Sequence, residues 1–175
     1  MSGNLNLSDR RSTSATEIVE VYSPQDDLRP GNEFLTDVST GDEEYCVIRC
    51  TLPAGAVVPM HSHADRETFY VLSGTVDALR GDQWQQLEPG DVFDVRYGTR
   101  HAWRNSSQAP ASMICVTTTR LARFLREISV PVDGAFPEEP ARRFLRLVRD
   151  HGYWLANQQE NAAVGLDVSW EDLRD

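Results

Sequence analysis

Between Glu17 and Thr119 the chain is a succession of short apolar runs, each stopped by a turn signal. The runs, with their closing turn residues, occupy 17–22, 32–38, 44–52, 67–74, 75–81, 83–90, 91–98, 101–105 and 112–119. Gly41-Asp42, Gly74, Gly81-Asp82, Pro89-Gly90-Asp91 and Gly98 punctuate them. This rhythm leaves no room for helices of ordinary length. Many short strands at even spacing predict an all-β sandwich or barrel. Apolar residues make up 40% of the chain, enough for a buried core without disulfide or metal staples.

The texture changes after Thr119. Leu121, Phe124, Leu125 and Ile128 recur at helical spacing, and Pro131 is expected to end that helix. A second helix is expected from near Pro137, with Glu138 and Glu139 in its first turn. Ala141, Phe144, Leu145 and Val148 would share one face, and Gly152 would stop it. His151, in the last turn, reads as a capping histidine. The chain therefore divides into a mobile polar arm (1–16), a β unit (17–119) and a helical extension (120–175). The extension would pack on the outside of the β unit or cover its mouth. Its last twenty residues carry no assignable pattern.

Charge narrows the function. There are 17 basic and 27 acidic residues, for a net charge of −10, and the excess lies mostly in the β unit. Phosphate repels such a surface, so a general nucleic-acid binder is excluded. Every basic residue is arginine, which removes lysine Schiff-base chemistry and a P-loop lysine. Arg142, Arg143, Arg146 and Arg149 read as the solvated face of the second helix. Cys46, Cys50 and Cys115 have no zinc or disulfide spacing. The start has no apolar stretch of the secretory type, and no run is long enough to span a membrane. A cytoplasmic protein without membrane contact is the expectation.

Two segments carry chemistry. In the first, His61 and His63 are two residues apart, so on a strand their imidazoles share a face. Glu67 follows at the start of the next run, where a turn can return its carboxylate to the same point. In the second, a tight turn at Gly98 precedes His101, and His101, Trp103 and Asn105 alternate on one face. Three imidazoles and one carboxylate suit one divalent transition ion: Fe, Ni, Mn, Co, Cu or Zn. An octahedral ion would keep positions for substrate or dioxygen.

These segments resemble the two motifs of the cupin superfamily. Gly55, His61, His63, Glu67 and Gly74 fit every fixed position of the first, G-x5-H-x-H-x3-E-x6-G. Gly90, Gly98, His101 and Asn105 fit the second, G-x5-P-x-G-x2-H-x3-N, whose proline is here Arg96. That replacement puts the rigidity of the turn before His101 in question. The resemblance implies a jelly-roll β-barrel, with His61, His63, Glu67 and His101 holding a metal inside it. It also implies a homodimer, with 17–22 as the candidate shared strand.

Strand alternation places Val57 and Pro59 with His61, Phe69 and Val71 with Glu67, and Trp103 with His101. Val57, Phe69, Val71 and Trp103 are thus the candidate substrate pocket, an apolar and aromatic one. Cys46, Ile48 and Cys50 are expected to face inward as small hydrophobes. The nearest polar candidates are Tyr45, Arg49, Arg96, Tyr97 and Arg100. The set resembles that of quercetin-cleaving dioxygenases and related single-domain cupins. The first expectation is therefore a dioxygenase acting on a small aromatic or enolisable substrate, with Glu67 also moving a proton. The alternatives are a non-redox isomerase, lyase or polyketide cyclase, and a small-molecule-binding cupin without turnover.

Overall fold

The computed structural model describes residues 17–25, 28–36, 44–137 and 139–168. The expected arm, the Gly41-Asp42 turn and Glu138 lie outside the described residues. Ten strands follow one another: β1 (Glu17–Val21), β2 (Gly31–Phe34), β3 (Tyr45–Leu52), β4 (Val57–Ser62), β5 (Glu67–Ser73), β6 (Val76–Arg80), β7 (Gln83–Leu87), β8 (Val92–Val95), β9 (His101–Arg104) and β10 (Ala111–Thr118). After them come α1 (Thr119–Glu127), β11 (Ser129–Pro131), α2 (Pro140–Asp150), β12 (Trp154–Leu155) and α3 (Gln158–Ala163). The expected all-β barrel with a helical extension is what the chain forms.

The strands make two antiparallel sheets, ordered β11-β1-β2-β3-β10-β5-β8 and β12-β4-β9-β6-β7. Their inner faces meet over one core, in which Ile48, Val71, Val76, Leu87, Phe93 and Val95 are almost completely buried. The alternation that predicted strands is the alternation that fills this core: Glu67, Phe69 and Val71 point in, while Tyr70 and Leu72 stay exposed.

Gly74 turns the chain from β5 to β6 at φ +74°, where a Cβ would stand 2.6 Å from the Pro110 carbonyl and 2.8 Å from the Ala111 Cα. Both obstacles are main chain, so neither can swing aside. Gly74→Ala should therefore lower stability by about 2 kcal/mol, as strain at a single disallowed residue does. Gly90 also has positive φ, but nothing lies within 4 Å of its missing Cβ. Gly90→Ala should cost less, and urea titration of the two variants compares them.

The extension differs from its sequence reading in three places. The first helix stops at Glu127 rather than running to Pro131, because 129–131 peel away to pair with β1 (Val19 with Pro131, Val21 with Ser129). Proline is tolerated there because β11 is an edge strand. The second helix starts at Pro140, not near Pro137. Glu139 holds φ +52°, which no helix continues, and Pro140 fits the first helical position. It ends at Asp150, with His151 as the C-cap residue. Gly152, at φ +70°, then turns the chain so that β12 pairs with β4. In the last stretch, left unassigned above, Asn157 and Glu160 form a reciprocal capping box that starts α3.

The extension thus lends a strand to each sheet. β1, the candidate shared strand, is paired along both edges within its own chain, to β2 and to β11.

β4 is irregular. Val58 pairs with Trp103 and His61 with His101, so three steps on β4 oppose two on β9. This is a bulge at Pro59-Met60. The N–H of Met60 is taken by Asn161 Oδ1 of α3 at 3.0 Å, and the Met60 carbonyl accepts from Ala156 N–H at 2.9 Å.

Candidate metal centre

β4, the turn after it, β5 and β9 bring four side chains to one point inside the barrel. The ring centroids of His61 and His101 are 4.1 Å apart, those of His63 and His101 5.0 Å, and those of His61 and His63 5.6 Å. One nitrogen from each of the three rings lies within 4.8 Å of the other two. Glu67 Oε2 is 3.2 Å from Nε2 of both His63 and His101. His63, Glu67 and His101 are buried; His61 is half-buried.

The backbone sets the direction of every ring. Nδ1 of His61 lies 2.8 Å from the Pro59 carbonyl, Nδ1 of His63 3.0 Å from that of Asp65, and Nδ1 of His101 2.9 Å from that of Thr99. A carbonyl only accepts, so each Nδ1 carries the proton and donates it. Each Nε2 of a neutral ring then turns a lone pair toward the centre. His101 Nε2 is completely buried and has no hydrogen-bond partner, because the nearby Glu67 oxygen is itself an acceptor. Buried polar atoms are rarely left so. An inward lone pair with no donor, beside two more imidazoles and a carboxylate, fits a divalent cation. His61, His63, Glu67 and His101 could hold it.

Charge is finely balanced at this point. Burial pushes the pKa of His61 well below its ordinary value, and the neighbouring His101 and His63 add to this. Burial acts against charge on His63 too, but the hydrogen bond to Glu67 and its negative charge outweigh it, so the His63 pKa rises. Burial would raise the Glu67 pKa, yet His101 and His63 beside it hold it far below the usual carboxylate range. An ionised carboxylate and imidazole lone pairs are the forms that bind metal.

The turn before His101 holds without the motif proline. Gly98, at φ +70°, donates its N–H to the His63 carbonyl at 2.8 Å, and Thr99 N–H donates to the Arg96 carbonyl at 3.0 Å. The Arg96 side chain is exposed, near Asp94. Asn105 closes the same segment by donating to the carbonyls of Leu52 and Ala109.

A cavity of about 160 Å³, partly open to solvent, leads to His61, Glu67 and His101. Phe69, Trp103, Met113, Cys50 and Cys115 line its barrel side, and Phe124, Leu125, Phe144, Val148 and Tyr153 its extension side. Trp103 lies edge-on to Phe69, with centroids 4.5 Å apart. Of the pocket residues named from alternation, Phe69 and Trp103 line the cavity. Val71 does not: it is fully buried in the core. Val57 borders the cavity, but it packs against the separate cluster that contains Met60, Leu79 and Ala102. The bulge shifts β4 by one residue, so Val58 is the one opposite Trp103 and packed on the inner core. Cys46 and Ile48 are fully buried, and Cys115 Sγ lies 3.9 Å from Glu67 Oε1.

The polar candidates read from sequence lie elsewhere. Tyr45 and Tyr97 are exposed, Arg49 pairs with Glu33, and Arg100 lies over Trp154. Sequence reasoning missed Tyr153, whose ring centroid is 5.5 Å from that of His63. It also missed Asp65, buried and bonded to Thr118, Arg120 and Tyr153. No local spacing connects these positions. Burial would raise the Asp65 pKa, but Arg120, Thr118 and Tyr153 outweigh it and lower it. A carboxylate with a lowered folded pKa adds stability that is complete above its unfolded value, about 3.9, and is lost as pH falls through the folded value. Asp65→Asn should therefore lower the melting temperature near neutral pH and flatten its acid limb below about pH 4. Melting curves across pH for both proteins check this.

Residues 48–117 match the family model for the cupin domain. This stretch of the chain is a cupin domain. Several solved cupins resemble it. A cupin 2 conserved barrel domain protein from Rhodopseudomonas palustris is 13% identical over 60% of this chain and 72% of that one, with a TM-score of 0.53. A sugar phosphate isomerase of the cupin superfamily from Silicibacter pomeroyi is 23% identical over 59% and 71%, with a TM-score of 0.50. These two share the fold. The DMSP lyase DddQ from Ruegeria pomeroyi DSS-3 is 26% identical over 44% of the cupin described here, with a TM-score of 0.41. That match spans 39% of the lyase. No curated protein matches. Among the described residues, no helix of this cupin is long and apolar enough to cross a membrane.

Proposed function

We propose that this cupin is a metal-dependent enzyme acting on a small aromatic or enolisable organic molecule, as a dioxygenase-type oxidoreductase. The observation that carries the reading is the convergence of three imidazole rings, each tied back through Nδ1 to a backbone carbonyl, and one carboxylate at a cavity walled by rings and aliphatic chains. Such walls favour an apolar body, and with so few polar groups a sugar-like substrate would leave its hydroxyls unpaired.

A divalent transition ion bound there supplies Lewis acidity and, unless it is zinc, a redox centre. The chain's own residues do the rest. His61, His63, His101 and Glu67 would hold the ion. Phe69 and Trp103 would orient a planar substrate by edge and face contact. Phe124, Leu125, Phe144, Val148 and Tyr153 of the extension wall the side of the cavity opposite them with apolar surface. Glu67, ionised in this setting, would also be the group placed to take the proton of an enol or phenol.

Elemental analysis of the purified protein, followed by oxygen-uptake assays on flavonols, catechols and β-diketones, tests this. We expect a redox-active metal and oxygen consumption with at least one of these classes. Zinc with anaerobic turnover would move the assignment to a non-redox isomerase, lyase or cyclase. Ligand binding without any turnover would leave a binding protein.

A further inference from the structure

Asp65 lies in the turn between β4 and β5, two residues after His63, and it joins the metal centre to the extension. Its main-chain carbonyl accepts the Nδ1 proton of His63 at 3.0 Å. Its carboxylate accepts four hydrogen bonds. Oδ1 takes Thr118 Oγ1 at 2.5 Å and Arg120 Nε at 3.0 Å; Oδ2 takes Arg120 Nη2 at 2.7 Å and the Tyr153 hydroxyl at 2.9 Å. Every donor sits at or beyond the point where the barrel strands end. Tyr153 is also packed between His63 on one side and Phe124 of α1 on the other, with centroid distances of 5.5 and 4.8 Å. His61 is tied to the same part of the chain: Leu155 of β12 pairs with it, and Asn161 of α3 accepts the Met60 N–H that the bulge sets free.

We propose that the extension is a working part of the metal centre, and that Tyr153 is a positioning residue that fixes His63 through Asp65. The proposal rests on the metal-dependent reading above. A hydrogen bond to the distal nitrogen of a ligating imidazole sets both the ring's tautomer and its direction. Here that acceptor is a main-chain carbonyl in a turn, so its place depends on what anchors the turn. Among the described residues the anchors of the Asp65 carboxylate come from the extension and the last residue of β10. The Tyr153 hydroxyl supplies one of the four hydrogen bonds, and its ring limits how far His63 can rotate.

The test uses Co(II) as the probe on the full chain. Tyr153→Phe keeps the ring and removes one donor to Asp65. We expect its Co(II) dissociation constant to rise about tenfold, within the range for groups that support a metal ligand, and its visible d–d absorption to change. Arg120→Gln removes two donors from a half-exposed side chain and reads the same quantities if Tyr153→Phe does not fold. Lower melting temperatures alone, with unsubstituted Co(II) affinity and an unchanged spectrum in the folded variants, would mean a purely structural role and overturn the proposal. Failure of the unsubstituted chain to take up Co(II) would overturn the metal reading and this inference with it.

Discussion

His61→Ala is expected to weaken metal binding by about 100-fold or more, since removing a ligand exceeds the 10- to 100-fold cost of losing a group that merely supports one. The barrel itself should survive. His61 is the half-buried member of the four, and among the described residues its ring bonds the nearby Pro59 carbonyl. Burial and the other two imidazoles favour its neutral form, so the substitution removes no charge at neutral pH. Two measurements check this together. Equilibrium dialysis should show little metal retained. The melting temperature of the unsubstituted protein should rise with added metal, as it does for any ligand that binds only the folded state, and that of the variant should not. Stoichiometric metal at unchanged affinity in His61→Ala would sink the ligand assignment.

Phe93→Ala should produce the largest loss of stability among single core truncations on β8. Phe93 is 1% exposed, and its ring lies 5.1 Å from that of Trp103. Removing a buried ring costs about 3–5 kcal/mol, partly for lost transfer energy and partly for the void left behind. At about 2–4 °C per kcal/mol, the melting temperature should fall by roughly 10 °C. Its neighbour Val92 points the other way and is 57% exposed. Val92→Ala should stay within about 0.5 kcal/mol. Denaturant titration of the pair decides whether inward alternation on β8 carries the difference; equal losses would refute it.

The parts of the molecule legible in sequence are those governed by short-range rules. His61, His63 and Glu67 are close enough in sequence for the strand period and one turn to bring them together, and so are Gly98 and His101. The β unit was legible because its runs and turn residues repeat. Alternation failed where the chain broke its own period. A single extra residue at Pro59-Met60 exchanges the roles of Val57 and Val58; Pro59, with no N–H for the ladder, was the one local sign of that bulge and alternation ignores it. Pro131 looked like a helix stop because the pairing that makes it a strand comes from Val19, at the other end of the barrel sequence. Tyr153 and Asp65 were invisible for the same reason. Their hydrogen bond joins positions that only the folded chain brings together.

The pairing of β1 with β11 also sets an order of events during synthesis. β1 is made early, and β2 can cover one of its edges soon afterwards. Its other edge finds its partner only after the ten barrel strands and α1 have all emerged. Until then a strand with free N–H and C=O groups is open to pairing with another chain. Contacts between distant parts of a sequence form slowly and leave such edges exposed for longer. The nascent barrel is thus at its most adhesive just before Ser129–Pro131 arrives.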